Sequence, residues 1–429
     1  MSTGSNFKNQ GMDKHKKLTI GLFGFGVVGE GLYKVLHQTP SLNATIKKVC
    51  IKNSNKKRDA PKSLFTIDKN ELLNDIEINV IVEVINESGA AFEIVSTALK
   101  NKKAVISASK KMIAEHLTEL LELQKETRMP FLYEAAAGAS IPIIRNLEEY
   151  YDNDLLHSMR AIVNGSTNFI LTKMFEENLD YEQALLLAKQ LGFAETDASL
   201  DVEGYDAKNK WSFLLTHAYG IITNQLVFRG IQNIDKHDAI IAKEKGFEIK
   251  LVAQAKKLSD GKVAAFVLPQ FVKHDDPLSF VKNEYNGVVV ESAFADKQFF
   301  YGKGAGSFPT ASAILSDLSA LRYQYKYEYK KLYHHLPHEL TNDFYVSVYV
   351  SFNDNEDVPK ENFVSLNEWH AGEKRKYMIG ILPFSELKEN GWWKENNVSL
   401  ILMPDGIIEK RELKKSGVNA IDEMQMMAI

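Results

Sequence analysis

From Leu18 the chain opens on LTIGLF, a short apolar run at strand spacing, and passes through glycines into VVGEGLYKVL, where Val28, Leu32, Val35 and Leu36 recur at helical spacing. A strand, a tight turn and a helix are predicted. IKKVCI, from Ile46 to Ile51, reads as a second strand and is followed by a polar loop rich in Lys and Asn. INVIVEVI, from Ile78 to Ile85, reads as a buried strand and AFEIVSTALK as the helix after it. KAVISAS, from Lys103 to Ser109, predicts another strand, HLTELLELQKET a helix, and MPFLYEAA, from Met129, one strand more. Strands alternating with helices at this pace predict an α/β fold with a doubly wound, Rossmann-type parallel sheet.

From about Ala139 the pattern changes. Helical segments (NLEEYY, YEQALLLAKQL, AKNKWSFLLTHAYGIIT, DAIIAKEKGFEIKLVAQAKKL) mix with strand-like runs such as AAFVLPQFV and GVVVES, predicting an α+β second domain. KGAGSFPTASAILSDLSAL then returns the chain toward the first domain. Beyond Tyr323, FYVSVYVSF alternates as a strand with one exposed face, and the last hundred or so residues read as a small, separate α/β appendage. The expected organisation is a disordered tail over 1–17, a Rossmann-type domain over 18–138 completed by about 304–325, a second domain over 139–303 and a C-terminal region over 335–429.

A length of 429 residues suits two or three domains, and 45% hydrophobic with 25% charged residues is ordinary globular composition. Lys plus Arg total 52 against 56 Asp plus Glu, and a net charge of −4 gives no pull toward nucleic acid or an anionic membrane. The single cysteine, Cys50, cannot form an intrachain disulfide; it reads as a packing residue in an apolar run and fits a reducing cytoplasm. The polar start lacks a secretory pattern, with Met12 as an alternative first residue, and no run reaches the roughly 18 apolar residues of a membrane span.

Gly24-Phe25-Gly26-Val27-Val28-Gly29 fits GxGxxG between a strand and a helix. Gly24 permits the tight turn, Gly26 lets the backbone approach a pyrophosphate, and Gly29 lets helix and strand pack closely. At the end of the second strand, where an NAD site places an acid on the ribose hydroxyls, the residues are Ile51-Lys52-Asn53-Ser54-Asn55-Lys56-Lys57-Arg58. The absence of a carboxylate and the several cations favour NADP(H) over NAD(H); a solvated basic loop is the alternative reading.

The densest polar segment runs from Leu191 to Lys210 and holds Glu195, Asp197, Asp201, Glu203 and Asp206 ahead of Lys208 and Lys210. Such a loop is either a solvated turn or a site whose cations offset the repulsion. Asp206 and Lys210 stand i, i+4 at the start of a helix whose other face carries Trp211, Leu214, Leu215 and Ala218, so both project from one face. Spacing alone favours a surface salt bridge over a site.

GLFGFGVVGEGL, VISASKKMIAEH, YEAAAGASIPII, IVNGSTNFILTKM, GFAETDASLDVEGYDAKNK and YGKGAGSFPTASAILSDL, in this order over about residues 18 to 320, resemble homoserine dehydrogenase. The resemblance implies the NAD(P)-dependent interconversion of L-homoserine and aspartate β-semialdehyde, on the route to threonine, methionine and isoleucine. It matches Lys210 to the proton donor, Glu195 and Asp206 to the acids that hold the substrate, and Lys110 to a lysine near cofactor and substrate. Hydride addition to a carbonyl develops an alkoxide that an adjacent ammonium stabilises and protonates. A free lysine, with a pKa of about 10.4, is a reluctant donor that a second cation or burial would improve. Asn164 and Gly165 match a loop near the substrate, with an N-cap and turn as their local role. Gly192, Gly304 and Gly306 match cofactor-contacting glycines. Glu134, Ala137, Ala139 and Ile141 match a sodium-type site built from one carboxylate and backbone carbonyls, oxygen ligation that suits a hard cation. The His334, His335 and His338 cluster falls outside the match and does not have zinc-ligand spacing.

Two departures from the family pattern stand out. Asn86-Glu87-Ser88-Gly89-Ala90 replaces a Gly-Gly near a Pro, placing a carboxylate where it is expected to weaken cofactor binding or alter its preference. VSFNDNEDVPKENFV lacks the Asp-x-Pro-Gly turn of an ACT regulatory domain, so the C-terminal region is expected to be a divergent, ACT-like fold. With no aspartokinase segment ahead of the match, the chain resembles the monofunctional form, and the family implies a homodimer or higher homo-oligomer built through the second domain's sheet. The alternatives are an NAD(P)-dependent dehydrogenase of another small amino-acid aldehyde and a non-catalytic NADP-binding regulator.

Overall fold

A computed structural model describes residues 17–153, 155–372 and 375–415; the expected tail over 1–16 lies outside them. The chain divides into two compact units, one formed by residues 1–139 with 306–328 and the other by 140–305 with 329–429.

In the first unit β1 (Leu18–Phe23), β2 (Ala44–Cys50), β3 (Phe65–Thr66), β4 (Val80–Glu83), β5 (Ala104–Ser107) and β6 (Phe131–Leu132) form one sheet in the order β3-β2-β1-β4-β5-β6. Every pairing in it is parallel. β1, β4 and β5 are nearly continuous apolar runs because a parallel sheet is covered on both faces. The helices are α1 (Val27–Gln38), α2 (Asn70–Leu73), α3 (Ser88–Lys100), α4 (Lys110–Thr127), α5 (Glu134–Gly138) and, from the returning segment, α11 (Ser307–Leu321). α11 lies so close to α1 that a Cβ on Gly31 would fall 2.3 Å from Ser307 Oγ, and Ser307 donates to the Val27 carbonyl. The strand expected from Met129 reduces to two residues, since Glu134 already opens α5. Cys50 is half-buried rather than buried, because β2 lies toward an edge and presents alternate residues to solvent. The strand order is that of a Rossmann sheet, with the switch between β1 and β4.

The second unit is built on a ten-stranded sheet. It comprises β7 (Leu156–Ile162), β8 (Val227–Phe228), β9 (Phe247–Lys257), β10 (Val263–Lys273), β11 (Tyr285–Ser292), β12 (Asp296–Lys303), β13 (Tyr345–Phe352), β14 (Ser365–Ala371), β15 (Lys376–Pro383) and β16 (Ser399–Ile408). They run β12-β11-β7-β9-β10-β16-β13-β15-β14, with β8 beside β10. α6 (Gly165–Glu176), α7 (Tyr181–Gln190), α8 (Ser199–Val202), α9 (Tyr205–Tyr219) and α10 (Lys236–Glu244) accompany it. The segment DAIIAKEKGFEIKLVAQAKKL, read as one helical stretch, is instead α10 followed by β9. Gly246, at φ +74°, stops the helix, and the eleven residues after it pair antiparallel with β10. NLEEYY is a single wide helical turn over Asn146–Tyr150.

The C-terminal strands are not set apart from this sheet. β16 continues it from β10 through the pair Gln270 and Leu402, and Val227, Phe266 and Leu268 share a core with Val346, Val348, Met378, Trp393 and Leu400. The order β14-β15-β13-β16, antiparallel throughout, is that of a split βαββαβ unit. Two single turns, Asn355–Asp357 and Lys360–Asn362, stand where its first helix would be, and α12 (Phe384–Glu389) is the second. β13 is buried on both faces rather than one, because Tyr349 and Ser351 on its second face donate to the buried Asp238 of α10.

Candidate active site

In the first unit each glycine of the turn after β1 has its own steric reason. Gly24 holds φ +99°, and a Cβ there would lie 2.9 Å from the Val84 carbonyl; a Cβ on Gly29 would lie 2.2 Å from the Gly24 carbonyl. Gly26 is different: it is exposed, no side chain caps α1 at that position, and nothing stands within 4 Å of where a Cβ would go. The start of α1 is therefore uncovered on the Gly26 side, which is the arrangement that lets a pyrophosphate approach a helix N-terminus. Phe25 is buried edge-on against Tyr33 and Phe65, Val27 is exposed and Val28 half-buried.

At the end of β2, Lys52, Lys56 and Lys57 are exposed, and Arg58 donates to the carbonyls of Asn53 and Lys56 at 2.7 Å each while lying over the Phe65 ring. Ser54, Lys56, Lys57, Arg58 and Phe65 line a cavity of about 910 Å³. Glu87 is exposed, and its carboxylate accepts from Gly89 N at 3.1 Å and Ala90 N at 2.6 Å and so caps α3. Lys110 is the first residue of α4 and half-buried. Glu134 is buried, with its amide donating to Asp317, and Ala139 holds φ +44°, a left-handed conformation that a non-glycine residue adopts only under constraint.

In the second unit the acidic loop gathers around Asn164. This side chain accepts from Thr167 N at 2.8 Å, capping α6, and donates to Asp201 at 2.7 Å and Asp206 at 2.9 Å. Asp206 is ion-paired to Lys210 at 2.8 Å, both on the first turns of α9, and the Lys210 ammonium donates to the Val163 carbonyl at 2.6 Å. Lys210 is only 4% exposed. A buried ammonium is tolerated because a carboxylate and a carbonyl replace its water, so the i, i+4 pair is an interior one and not a surface salt bridge. Glu195 and Glu203 are exposed, and Asp197 accepts from Ser199 N at the start of α8. Asp201 joins the cluster although sequence reasoning gave it no role; its signal was its place in the same acidic run. Gly165 lies against the Glu284 carbonyl, Gly192 turns the chain at φ +77° in open space, and Gly304 abuts the Asn286 amide. Gly306, at φ +114°, precedes α11 in the other unit. Ile141 is buried.

The loop is held from behind. Gly230 packs so tightly that a Cβ would lie 1.7 Å from the Val202 carbonyl, and Ile231 N donates to that same carbonyl. Beside it, the buried Arg229 donates to the carbonyls of Glu395 and Val398 and lies over the Trp393 ring. The histidines predicted as a cluster have separate surroundings: His334 approaches Asp152, and His338 bonds the Gly261 carbonyl. Among the described residues no group of three or more His, Cys, Asp or Glu side chains is placed to hold a metal, and no helix is long and apolar enough to cross a membrane.

A family model described as homoserine dehydrogenase matches residues 142–319, and one described as homoserine dehydrogenase, NAD binding domain, matches residues 24–134. A homoserine dehydrogenase of Bacillus subtilis is 38% identical over 318 residues, covering 71% of this chain and 73% of its own. Among solved structures, a homoserine dehydrogenase of S. aureus superposes with a TM-score of 0.68 at 30% identity, covering 91% of this chain and 99% of its own. A hyperthermophilic archaeal homoserine dehydrogenase in complex with NADPH does so with a TM-score of 0.62 at 28% identity, covering 73% of this chain and 99% of its own. Relatedness at this level runs through both the nucleotide cradle and the Asn164–Lys210 cluster, and the chain belongs to the homoserine dehydrogenase family of NAD(P)-dependent oxidoreductases.

Proposed function

We propose that Lys210 is the proton donor in the family's interconversion of L-homoserine and aspartate β-semialdehyde. The observation that carries this is a buried ammonium fixed by Asp206 and the Val163 carbonyl at the start of α9. A nicotinamide held by the Gly24–Gly29 turn would supply or take the hydride at the substrate's terminal carbon. Lys210 then stabilises the alkoxide oxygen and gives it the proton; in the oxidative direction it takes that proton back. Glu195 and Asp206 hold the substrate ammonium, Asn164 and Gly165 shape the loop beneath it, and Lys110 adds positive charge near cofactor and substrate. The test is a pair of alcohols. The protein is expected to oxidise L-homoserine and to leave γ-hydroxybutyrate, which lacks the ammonium, essentially untouched. Equal turnover of the two would remove the assigned role of the acids. Turnover itself weighs against a non-catalytic regulator.

For the cofactor, Gly24 to Gly29 receive the pyrophosphate, Gly192, Gly304 and Gly306 lie against the nicotinamide end, and NADP(H) is preferred over NAD(H). Support comes from Lys52, Lys56, Lys57 and Arg58 gathered at the end of β2 with no carboxylate among them, and from the archaeal relative solved with NADPH. Lys57→Glu is expected to raise the KM for NADP+ about tenfold, ~1.4 kcal/mol, and to leave that for NAD+ within about twofold. Steady-state kinetics with both cofactors decide it, and parallel changes in the two would argue against a 2′-phosphate contact. Glu134, with the carbonyls of Ala137, Ala139 and Ile141, offers a hard, oxygen-only donor set for sodium; the buried carboxylate and the left-handed Ala139 fit such a role. The enzyme is read as a cytoplasmic homodimer or higher homo-oligomer, a reading supported by the lone Cys50 and by the edge strand β12, where Phe299 and Tyr301 are exposed. The C-terminal strand order supports an ACT-like region.

A further inference from the structure

Glu83 ends β4 at the centre of the nucleotide-binding sheet, beside the β1–β4 switch, and is fully buried. One carboxylate oxygen accepts from Ile85 N at 2.7 Å, which fixes the first residues of the loop leaving β4. The other accepts from Ser107 Oγ at 2.5 Å on the neighbouring strand, where Glu83 and Ser107 are register partners. Ser107 Oγ in turn accepts from Ser109 N at 3.1 Å, and Ser109 Oγ reaches back to the Ile85 carbonyl at 3.4 Å. The next residue is Lys110. A single buried carboxylate therefore fastens both chain segments that leave the carboxyl edge of the sheet at β4 and β5, the edge where doubly wound sheets bind ligands.

We propose that Glu83 is a positioning residue: through Ile85 and Ser107 it sets the two loops that leave β4 and β5, and with them the Ser109–Lys110 start of α4. A carboxylate is the group that suits this place, because both of its neighbours donate to it. When Glu83 takes a proton, its own O–H must be donated to Ser107 Oγ. The Ser107 hydroxyl must then turn its proton away from Glu83, which resets the geometry of the oxygen that also accepts from Ser109 N. Burial makes this change reachable near neutrality, pushing the Glu83 carboxyl up to about 7 against the lowering effect of the Ser107 and Ile85 hydrogen bonds. Around it, β1 presents Phe23 at the paired position and β5 presents Ser107. The charged groups on the surrounding helices are Glu87, which caps α3, Lys110 and Lys111 at the start of α4, and Asp317 of α11, which accepts from Glu134 N; burial and the two hydrogen bonds, not these charges, act on the Glu83 carboxyl. The ionised form is thus the ordered one, and cofactor binding should tighten as pH rises through about 7.

The experiment is a fluorescence titration of NADPH across neutral pH for the native protein, Glu83→Gln and Ser107→Ala, with thermal unfolding recorded alongside. The native protein is expected to show an inflection of Kd near neutral pH; Glu83→Gln should lose it, Ser107→Ala should weaken it and move it to higher pH, and both should bind several-fold to about tenfold more weakly at the alkaline end. Ser107→Ala removes only the hydroxyl that links the two strands, so it decides the matter even if Glu83→Gln fails to fold. An inflection that persists unchanged in Ser107→Ala, or in a folded Glu83→Gln, overturns the proposal. The effect on turnover rests on the assignment of Lys110. Loss of the binding inflection with normal activity in Lys110→Ala would remove that assignment and leave Glu83 in place.

Discussion

Lys210→Ala is expected to lower turnover of L-homoserine by about a thousandfold or more while NADPH affinity stays within about twofold of native. Two losses combine. The reaction loses the group proposed to protonate the alkoxide, and Asp206, whose side chain is only 11% exposed, loses the Lys210 ammonium. Lys210→Arg separates these effects. The guanidinium keeps the charge but holds its proton far too tightly to transfer it at neutral pH, so this variant should recover stability without recovering rate. Cofactor binding survives in both because the pyrophosphate cradle is built from residues of the other unit. The measurements are kcat with L-homoserine, NADPH titration and thermal unfolding. A kcat within about threefold of native in Lys210→Ala would remove the residue from the chemistry.

The second large effect is expected in the turn after β1. Gly29→Ala puts a methyl 2.2 Å from the Gly24 carbonyl, which belongs to backbone that has no room to give. We expect a destabilisation of about 2 kcal/mol from overpacking, and loss of measurable cofactor affinity because the α1 amides must shift. Gly26→Ala meets nothing within 4 Å, so it should fold with native stability and still lose affinity, its methyl standing where a pyrophosphate must approach. Stability and affinity thus part company within one motif, as thermal unfolding and NADPH titration would record. Equal stability loss in both variants would contradict the separate roles.

The steric roles of Gly24 and Gly29 were legible in the sequence because they follow from strand, turn and helix succession alone. The acidic loop was legible in part. The i, i+4 spacing put Asp206 and Lys210 on one face, but only tertiary structure brings Asn164 between Asp201 and Asp206 and decides that Lys210 is interior. Glu87 shows the reverse limit. Its type suggested only a charge near the cofactor, whereas the structure adds a local task, capping the amides at the start of α3, that its position before the helix did not announce. β9 was hidden because a strand buried on both faces lacks alternation, and its apolar run continued the period of α10 across Gly246. Glu83 left no mark at all, since one acid in INVIVEVI is indistinguishable from a strand-end residue until Ser107 lies opposite it.

The grip of Arg229 on the Glu395–Val398 turn bears on how this protein can be re-engineered. Gly230, the next residue, is pressed against Val202 just ahead of Asp206, so a single turn of backbone separates the C-terminal region from the acidic loop. Deleting the last strands would uncover Phe266 and Leu268 and leave a buried guanidinium without its acceptors. The C-terminal region is therefore no interchangeable cassette: a chimera that borrows it from a relative must import the 229–231 segment as well, or forfeit the alignment of Lys210, the proposed proton donor.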